Sequence, residues 1–290
     1  MTDAVPVPDT ASAATPGPAP DPAPDTASDV EADGAPDSAV AIYTDYDPLA
    51  EVYAAHWGGT LADAAAPVLE ELVLGSLGAS AAVLDLCCGT GDLAGQLSRR
   101  GFDVTGLDGS SRMLELAAQR APGARFVQAD ARRFELPRQY EAVVSLFDSL
   151  NHILASDELA AVFANVLRAL EPDGRFLFDL NSEAAYLERW DDELGFVEDD
   201  QAVLVRIRYD AVERVGSFHA TTFAADPDGE GCWRRFDVTL RQRPYEAGDV
   251  SAALLDAGFV DVAAFDAEAD LGLDGHSGRV FYVARKPGRG

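Results

Sequence analysis

The residues best suited to chemistry cluster in one short stretch, VLDLCCGTGDLA at 83–94. Gly89, Thr90 and Gly91 follow an apolar strand-like run and precede a helix-like one, so the backbone turns sharply where a ligand can come close. Gly89, Gly91 and Ala94 satisfy the spacing G-x-G-x-x-G/A used for dinucleotides. The charges oppose that ligand. Asp85 closes the strand and Asp92 opens the helix, and two carboxylates there repel a pyrophosphate and compete for the same amides. A positively charged ligand is attracted instead. Downstream, Asp108 ends VTGLD, Asp130 sits in FVQADARRF and His152 ends FDSLNH. Upstream, Tyr43, Tyr46, Tyr53, His56 and Trp57 form an aromatic segment that can stabilise a cation by about 0.5–2 kcal/mol.

Short apolar runs alternating with helical segments must position these groups. The pattern predicts strands at 82–87, 103–108, 124–128, 141–147 and 174–180, with helices near 91–100, 110–120 and 156–170. Such alternation implies an α/β fold with a doubly wound, mostly parallel sheet covered on both faces. Ligands of these sheets sit at the carboxyl ends of the strands, where Asp85, Asp108, Asp130 and His152 all fall. Helices are expected at 60–77 and 183–190. After that, stretches 195–200, 203–212, 216–225 and 232–243 alternate like antiparallel strands, joined by VERVGS and the turn DPDGEG. A helix at 247–257 and strands at 259–266 and 278–285 restore the first rhythm. An antiparallel insertion at about 195–243 therefore precedes the last helix and strands, placed to cap the carboxyl edge.

Composition narrows the function. Residues 1–42 hold eight of the sixteen prolines and eight Asp or Glu, with no Lys or Arg, and read as a disordered acidic tail rather than a signal peptide. The remainder, 43–290, is the folded domain. A net charge of −28 opposes a nucleic-acid partner, which needs clustered Lys and Arg. No run approaches the roughly 18 apolar residues of a membrane span, so a cytoplasmic protein is expected. Cys87, Cys88 and Cys232, like the four histidines, lack metal-ligand spacing, and no metal site is expected.

The run D-x-x-C-G-T-G resembles the first motif of class I S-adenosylmethionine-dependent methyltransferases, and the motifs that follow agree in order over 43–290. The resemblance implies a Rossmann-like, seven-stranded fold and S-adenosylmethionine as cofactor. It implies that Asp85, Cys87, Cys88, Gly89, Thr90 and Gly91 form the cofactor turn, and that Asp108, beside Gly109, accepts from both ribose hydroxyls. Met113 would pack on the adenine, Asp130 and Ala131 would meet its amino group, and Leu146 would close the fourth strand against it. YEAVVSLFDSLNHI resembles the fourth motif and LRALEPDGRFLFDLN the fifth strand with its lead-in turn. One departure is Cys87, where many relatives carry glycine or alanine.

Methyl transfer is an in-line displacement that proximity accelerates strongly, and a hydroxyl acceptor also wants a base. His152 is the candidate base, with Asp148 and Asn151 near it in sequence to orient a substrate group. In similar small-molecule methyltransferases the N-terminal helix closes over the cofactor. That implies Tyr53 and Trp57 as lid residues, Tyr53 presenting its ring toward the methyl, and Tyr43 as a cofactor contact. The segment RRFDVTLRQRPY resembles bacterial N,N-dimethyltransferases of amino sugars, although Leu240 stands where many carry histidine. Arg241 and Arg243 share a face if the strand continues through both, either to meet an anionic substrate or to face solvent. The acceptor is expected to be a small molecule methylated on N or O. Two other classes fit parts of the pattern: a protein that binds S-adenosylmethionine without turnover, and an NAD-dependent oxidoreductase, which lacks a Tyr-x-x-x-Lys pair here.

Overall fold

The computed structural model describes residues 44–226 and 231–289. The expected tail at 1–42, Tyr43 and most of the DPDGEG turn lie outside the described residues.

Seven strands form the main sheet: β1 (Ala82–Leu86), β2 (Asp103–Asp108), β3 (Arg125–Gln128), β4 (Tyr140–Ser145), β5 (Leu170–Asn181), and two later strands, Val260–Asp266 and Arg279–Arg285. Their spatial order is Val260–Asp266, Arg279–Arg285, β5, β4, β1, β2, β3. β3, β2, β1, β4 and β5 run parallel, whereas Arg279–Arg285 is antiparallel to both of its neighbours. β1 lies between β4 and β2 and every residue in it is buried, as a near-continuous apolar run demands of a strand covered on both faces. The register sets Asp85 opposite Gly106 of β2 and Val144 of β4, so the acidic strand end lies where the winding direction reverses.

Helices cover both faces. On one, α1 (Ala50–His56) leads into α2 (Gly58–Leu72), and α2 packs with α3 (Asp92–Arg99) through Val68, Leu69, Leu93 and Leu97. α4 (Ser111–Arg120) follows β2. On the other face, α5 (Ser156–Ala169) buries Leu159, Val162, Phe163 and Val166, one apolar stripe at helical spacing, beside Val250 and Leu254 of a later helix, Ala247–Ala257. The helix expected at 60–77 is shorter. Val73 leaves helical geometry at φ −137°, and a separate 3-10 turn at Leu74–Ser76 finishes the connection.

The short α6 (Glu183–Arg189) introduces the antiparallel insertion: β6 (Asp191–Val197), β7 (Gln201–Asp210), β8 (Val215–Ala225) and β9 (Trp233–Gln242), hydrogen-bonded in that order. It begins four residues before the expected 195, because Asp191 and Glu193 pair across the ladder with Arg208 and Arg206. The remaining elements are α7 (Ala247–Ala257), β10 (Val260–Asp266) and β11 (Arg279–Arg285). The inner face of the insertion, Val203, Val205, Phe218, Ala220, Val238 and Leu240, packs on Leu49, Val52 and Trp57. The sheet thus lies over the N-terminal segment. No described helix is long and apolar enough to cross a membrane.

Candidate active site

The turn after β1 is built from left-handed residues. Cys87 has φ +62°, Gly89 +52° and Gly91 +74°. Gly91 is the N-cap of α3, and a Cβ there would stand 2.8 Å from the Cβ of Ala117, so only glycine fits both the conformation and the contact. Cys87 takes the left-handed conformation without that freedom. Cys88 is buried, its sulfur facing Gly106. Burial pushes both thiols well above their usual range, leaving them inert.

Asp108 ends β2 and accepts the Gly89 amide proton at 2.8 Å and the Ser110 amide proton at 2.9 Å. Ser110 caps α4 by accepting from the Met113 amide at 3.0 Å. Its hydroxyl donates to Asp47, which also accepts from the Arg112 amide at 3.2 Å. The N-terminal segment is thereby pinned to the start of α4. Asp85 is buried, and one of its oxygens has no partner. Burial and the charge of Asp108 push its carboxyl up to about 8, against a hydrogen bond from the Ala94 amide in the first turn of α3. Thr90 donates to Asp92 at 2.6 Å, and Arg120 pairs with the same carboxylate at 3.0 Å.

Two hollows meet at a rim made by Tyr53, Cys87, Gly89, Phe147 and Ser149. The smaller one contains Asp85, Thr90, Asp92 and Leu146. The larger, about 280 Å³, runs past Asp108, Gly109, Met113, Asp130 and Ala131 on one side. On the other it reaches Tyr46, Trp57, His152, Trp190, Phe218, Leu240 and Gln242. Of the expected site residues, Asp85, Cys88, Thr90 and Leu146 line the smaller hollow, Gly91 lines neither, and all the other described ones line the larger hollow. Met113 is both core and wall: it packs with Ala50 and Leu116 and faces the cavity. The Asp130 carboxylate is clamped by the Arg132 guanidinium at 2.9 and 2.7 Å.

The far side is organised around a strained loop. Phe147 and Asp148 take φ +66° and +50°, and the buried Asp179 carboxylate accepts both their amide protons, at 2.6 and 3.0 Å. Arg279 bridges Asp179 and Asp148, at 2.7 Å to the latter. Burial opposes its charge, but the two carboxylates outweigh that penalty. Asp148 accepts from Gln242 Nε2 at 2.6 Å, and Tyr186 donates to Gln242 Oε1 at 3.0 Å. His152 Nδ1 lies 2.9 Å from the Arg241 carbonyl, which can only accept, so that nitrogen carries the proton. Nε2 is then the basic nitrogen, meeting the Tyr46 hydroxyl at 2.9 Å and Gln242 Nε2 at 3.1 Å. Burial holds the imidazole below its ordinary value despite the opposing field of Asp148.

Several expectations change. Asn151 orients no ligand: buried, it donates to the Asn181 and Arg243 carbonyls and accepts from the Asn181 amide, stapling the loop to β5. Arg241 and Arg243 do not share a strand face, because β9 ends at Gln242. Arg241 is exposed, while Arg243 donates to the Leu154 carbonyl at 2.9 Å beside the Tyr245 ring. Tyr46, to which the sequence assigns no role of its own, reaches His152. Arg279 carries no motif, and Asp179 and Gln242 lie inside the segments LRALEPDGRFLFDLN and RRFDVTLRQRPY with no role of their own assigned there; the one available signal was the carboxylate inside the apolar run FLFDL.

The arrangement fits the cofactor implied by the sequence. A buried carboxylate with one unpartnered oxygen in the smaller hollow suits an ammonium, and Asp108, held by amides of the turn, faces the larger one as a ribose acceptor would.

Residues 83–174 match a family model described as a methyltransferase domain. YqeM of Bacillus subtilis, a methyltransferase by name with no acceptor stated, is 30% identical over 208 residues, covering 70% of this chain and 83% of its own. The dTDP-3-amino-3,4,6-trideoxy-alpha-D-glucopyranose N,N-dimethyltransferase of Streptomyces venezuelae is 29% identical over 71% of this chain and 89% of its own. Among solved structures, CalS10, an amino pentose methyltransferase from Micromonospora echinaspora with S-adenosylmethionine bound, aligns at TM-score 0.64 and 25% identity, covering 81% of this chain and 96% of that one. DesVI of Streptomyces venezuelae aligns at TM-score 0.67 and 24% identity, covering 83% and 98%.

Proposed function

The chain belongs to the class I S-adenosylmethionine-dependent methyltransferases, and from that premise we propose that it methylates an N or O atom of a small molecule held between the glycine turn and the His152–Tyr46 pair. The observation that carries this reading is that one cavity is lined both by Gly89 and Asp108 and by His152, Tyr46 and Gln242. When bound, S-adenosylmethionine supplies a methyl group on a sulfonium, open to in-line attack.

The chain's own residues do the rest. Asp108 accepts the ribose hydroxyls, Asp85 takes the ammonium, and Gly89 lets the backbone approach. Met113, Ala131 and the Asp130–Arg132 pair flank the adenine, and Tyr53 and Trp57 close the site to water. An acceptor N–H or O–H meets Tyr46, whose hydroxyl already points at His152 Nε2. Nε2 takes the proton, and the Arg241 carbonyl, accepting from Nδ1–H, stabilises the imidazolium that forms. The amino-sugar relative supports an amine as the acceptor atom. The same reading places the protein in the cytoplasm, where the free thiols of Cys87, Cys88 and Cys232 stay reduced.

The test is S-adenosylhomocysteine release against a panel of amines and phenols. Turnover with any member, lost in Asp108→Ala, supports the assignment. Tight cofactor binding in Asp108→Ala equal to that of the parent protein would refute the placement of the site.

A further inference from the structure

The charges around the cavity define what can enter its acceptor half, an inference that rests on the function proposed above. All 22 lysines and arginines lie between Arg99 and Arg289 and fall within the described residues, so every one of them is placed. Arg132 is the cation that lines the cavity, and each nitrogen of its guanidinium is engaged: Nε and Nη2 with Asp130 at 2.9 and 2.7 Å, and Nη1 with Glu158 at 2.9 Å. It belongs to the adenine end, beside Ala131.

The arginines nearest the acceptor half point elsewhere. Leu240 and Gln242 of β9 face inward, so strand alternation sends the Arg241 side chain outward, where it borders an open groove with Arg208 and Ser217. Arg243 lies past the strand end against Leu154 and Tyr245. Arg279 is buried behind Asp148 and already serves two carboxylates, leaving that group of three with one negative charge in excess. The acceptor half is otherwise walled by Trp57, Phe147, Trp190, Phe218 and Leu240.

A diphosphate carries at least two negative charges and is recognised by forks of arginine or by lysine ammonium groups. This compartment offers aromatic faces and an acidic network instead, which attract a cation and receive an apolar body. We propose that the acceptor is a phosphate-free molecule presenting a primary or secondary amine on an apolar scaffold, and that nucleoside-diphosphate-linked amino sugars, the substrate class named for the Streptomyces venezuelae relative, are rejected. The amine enters near the Asp148–Gln242 pair and loses its proton through Tyr46 to His152. No anion-binding step is needed.

Calorimetry on the protein already saturated with S-adenosylhomocysteine tests this with three probes: dTDP, 2-phenylethylamine, and 3-phenylpropionate as a size-matched anion. The amine is expected to bind at least about tenfold more tightly than the carboxylate, with no heat from dTDP at millimolar concentration. Equal affinities, no amine binding, or dTDP binding as tightly as the amine would overturn the inference. The preceding titration with S-adenosylhomocysteine reports separately on the underlying function: if that fails, the cofactor assignment falls rather than the acceptor class.

Discussion

The Tyr46 hydroxyl lies 2.9 Å from Nε2 of His152, joining the N-terminal segment to the loop after β4 across 106 residues of sequence. Nδ1 is committed to the Arg241 carbonyl, so the pair is oriented before any acceptor arrives. His152→Gln should lower kcat by about 100-fold, in the range of a lost general base, with the dissociation constant of S-adenosylhomocysteine unchanged. Because burial keeps the imidazole below its ordinary 6.5, the parent enzyme should hold its rate at pH 7 and lose it only below that value. The variant should lack this acid limb. A pH–rate profile of both proteins, with Tyr46→Phe as a milder third, checks the assignment.

Asp85 sets function against stability. Its carboxyl rises to about 8 on folding, so between about pH 4 and 8 it is protonated when folded and ionised when unfolded. The group therefore destabilises the cofactor-free protein increasingly as pH rises through that window. Asp85→Asn should melt several degrees higher than the parent at pH 8 and nearly alike at pH 4, while binding S-adenosylhomocysteine far more weakly. Thermal melts at both pH values, with and without ligand, read the two effects apart.

Arg279 pairs with the buried Asp179 and the half-buried Asp148 and holds the strained Phe147–Asp148 loop. Arg279→Met should cost about 3–5 kcal/mol, since it leaves buried charge uncompensated. Urea unfolding measures it. A loss below 1 kcal/mol would mean that the network is far more solvated than its burial indicates.

The glycine turn separates strain from contact. Gly91→Ala adds a Cβ 2.8 Å from that of Ala117 at φ +74° and should destabilise by about 2–4 kcal/mol. Cys87→Gly relieves a left-handed residue while removing a side chain packed against the core, and should stay within about 1 kcal/mol of the parent. Denaturant midpoints of the two variants decide.

The cofactor half of the site was legible because its residues follow consecutive parallel strands. Asp85, Asp108 and Asp130 each end an apolar run, and the fold brings such ends to one edge. The seven-stranded sheet and the insertion were legible for the same reason, as periodicity changes. The acceptor half was not. Gln242 meets Asp148 across 94 residues, and Arg279 reaches it across 131, so no local spacing records either contact. The sequence pattern runs past the end of helix α2 because Val73 and Leu74 continue its apolar periodicity after the backbone has left the helix. A shared face for Arg241 and Arg243 needs a strand that continues through both, and its end at Gln242 beside the Asn151 staple, a tertiary contact, has no local signal.

The most direct measurement is a calorimetric titration with S-adenosylhomocysteine, with NAD in parallel. Micromolar binding of the first, its loss in Asp108→Ala, and no heat from NAD are the predicted results. Binding of NAD alone would contradict the account, because the turn flanked by Asp85 and Asp92 would then accommodate a pyrophosphate.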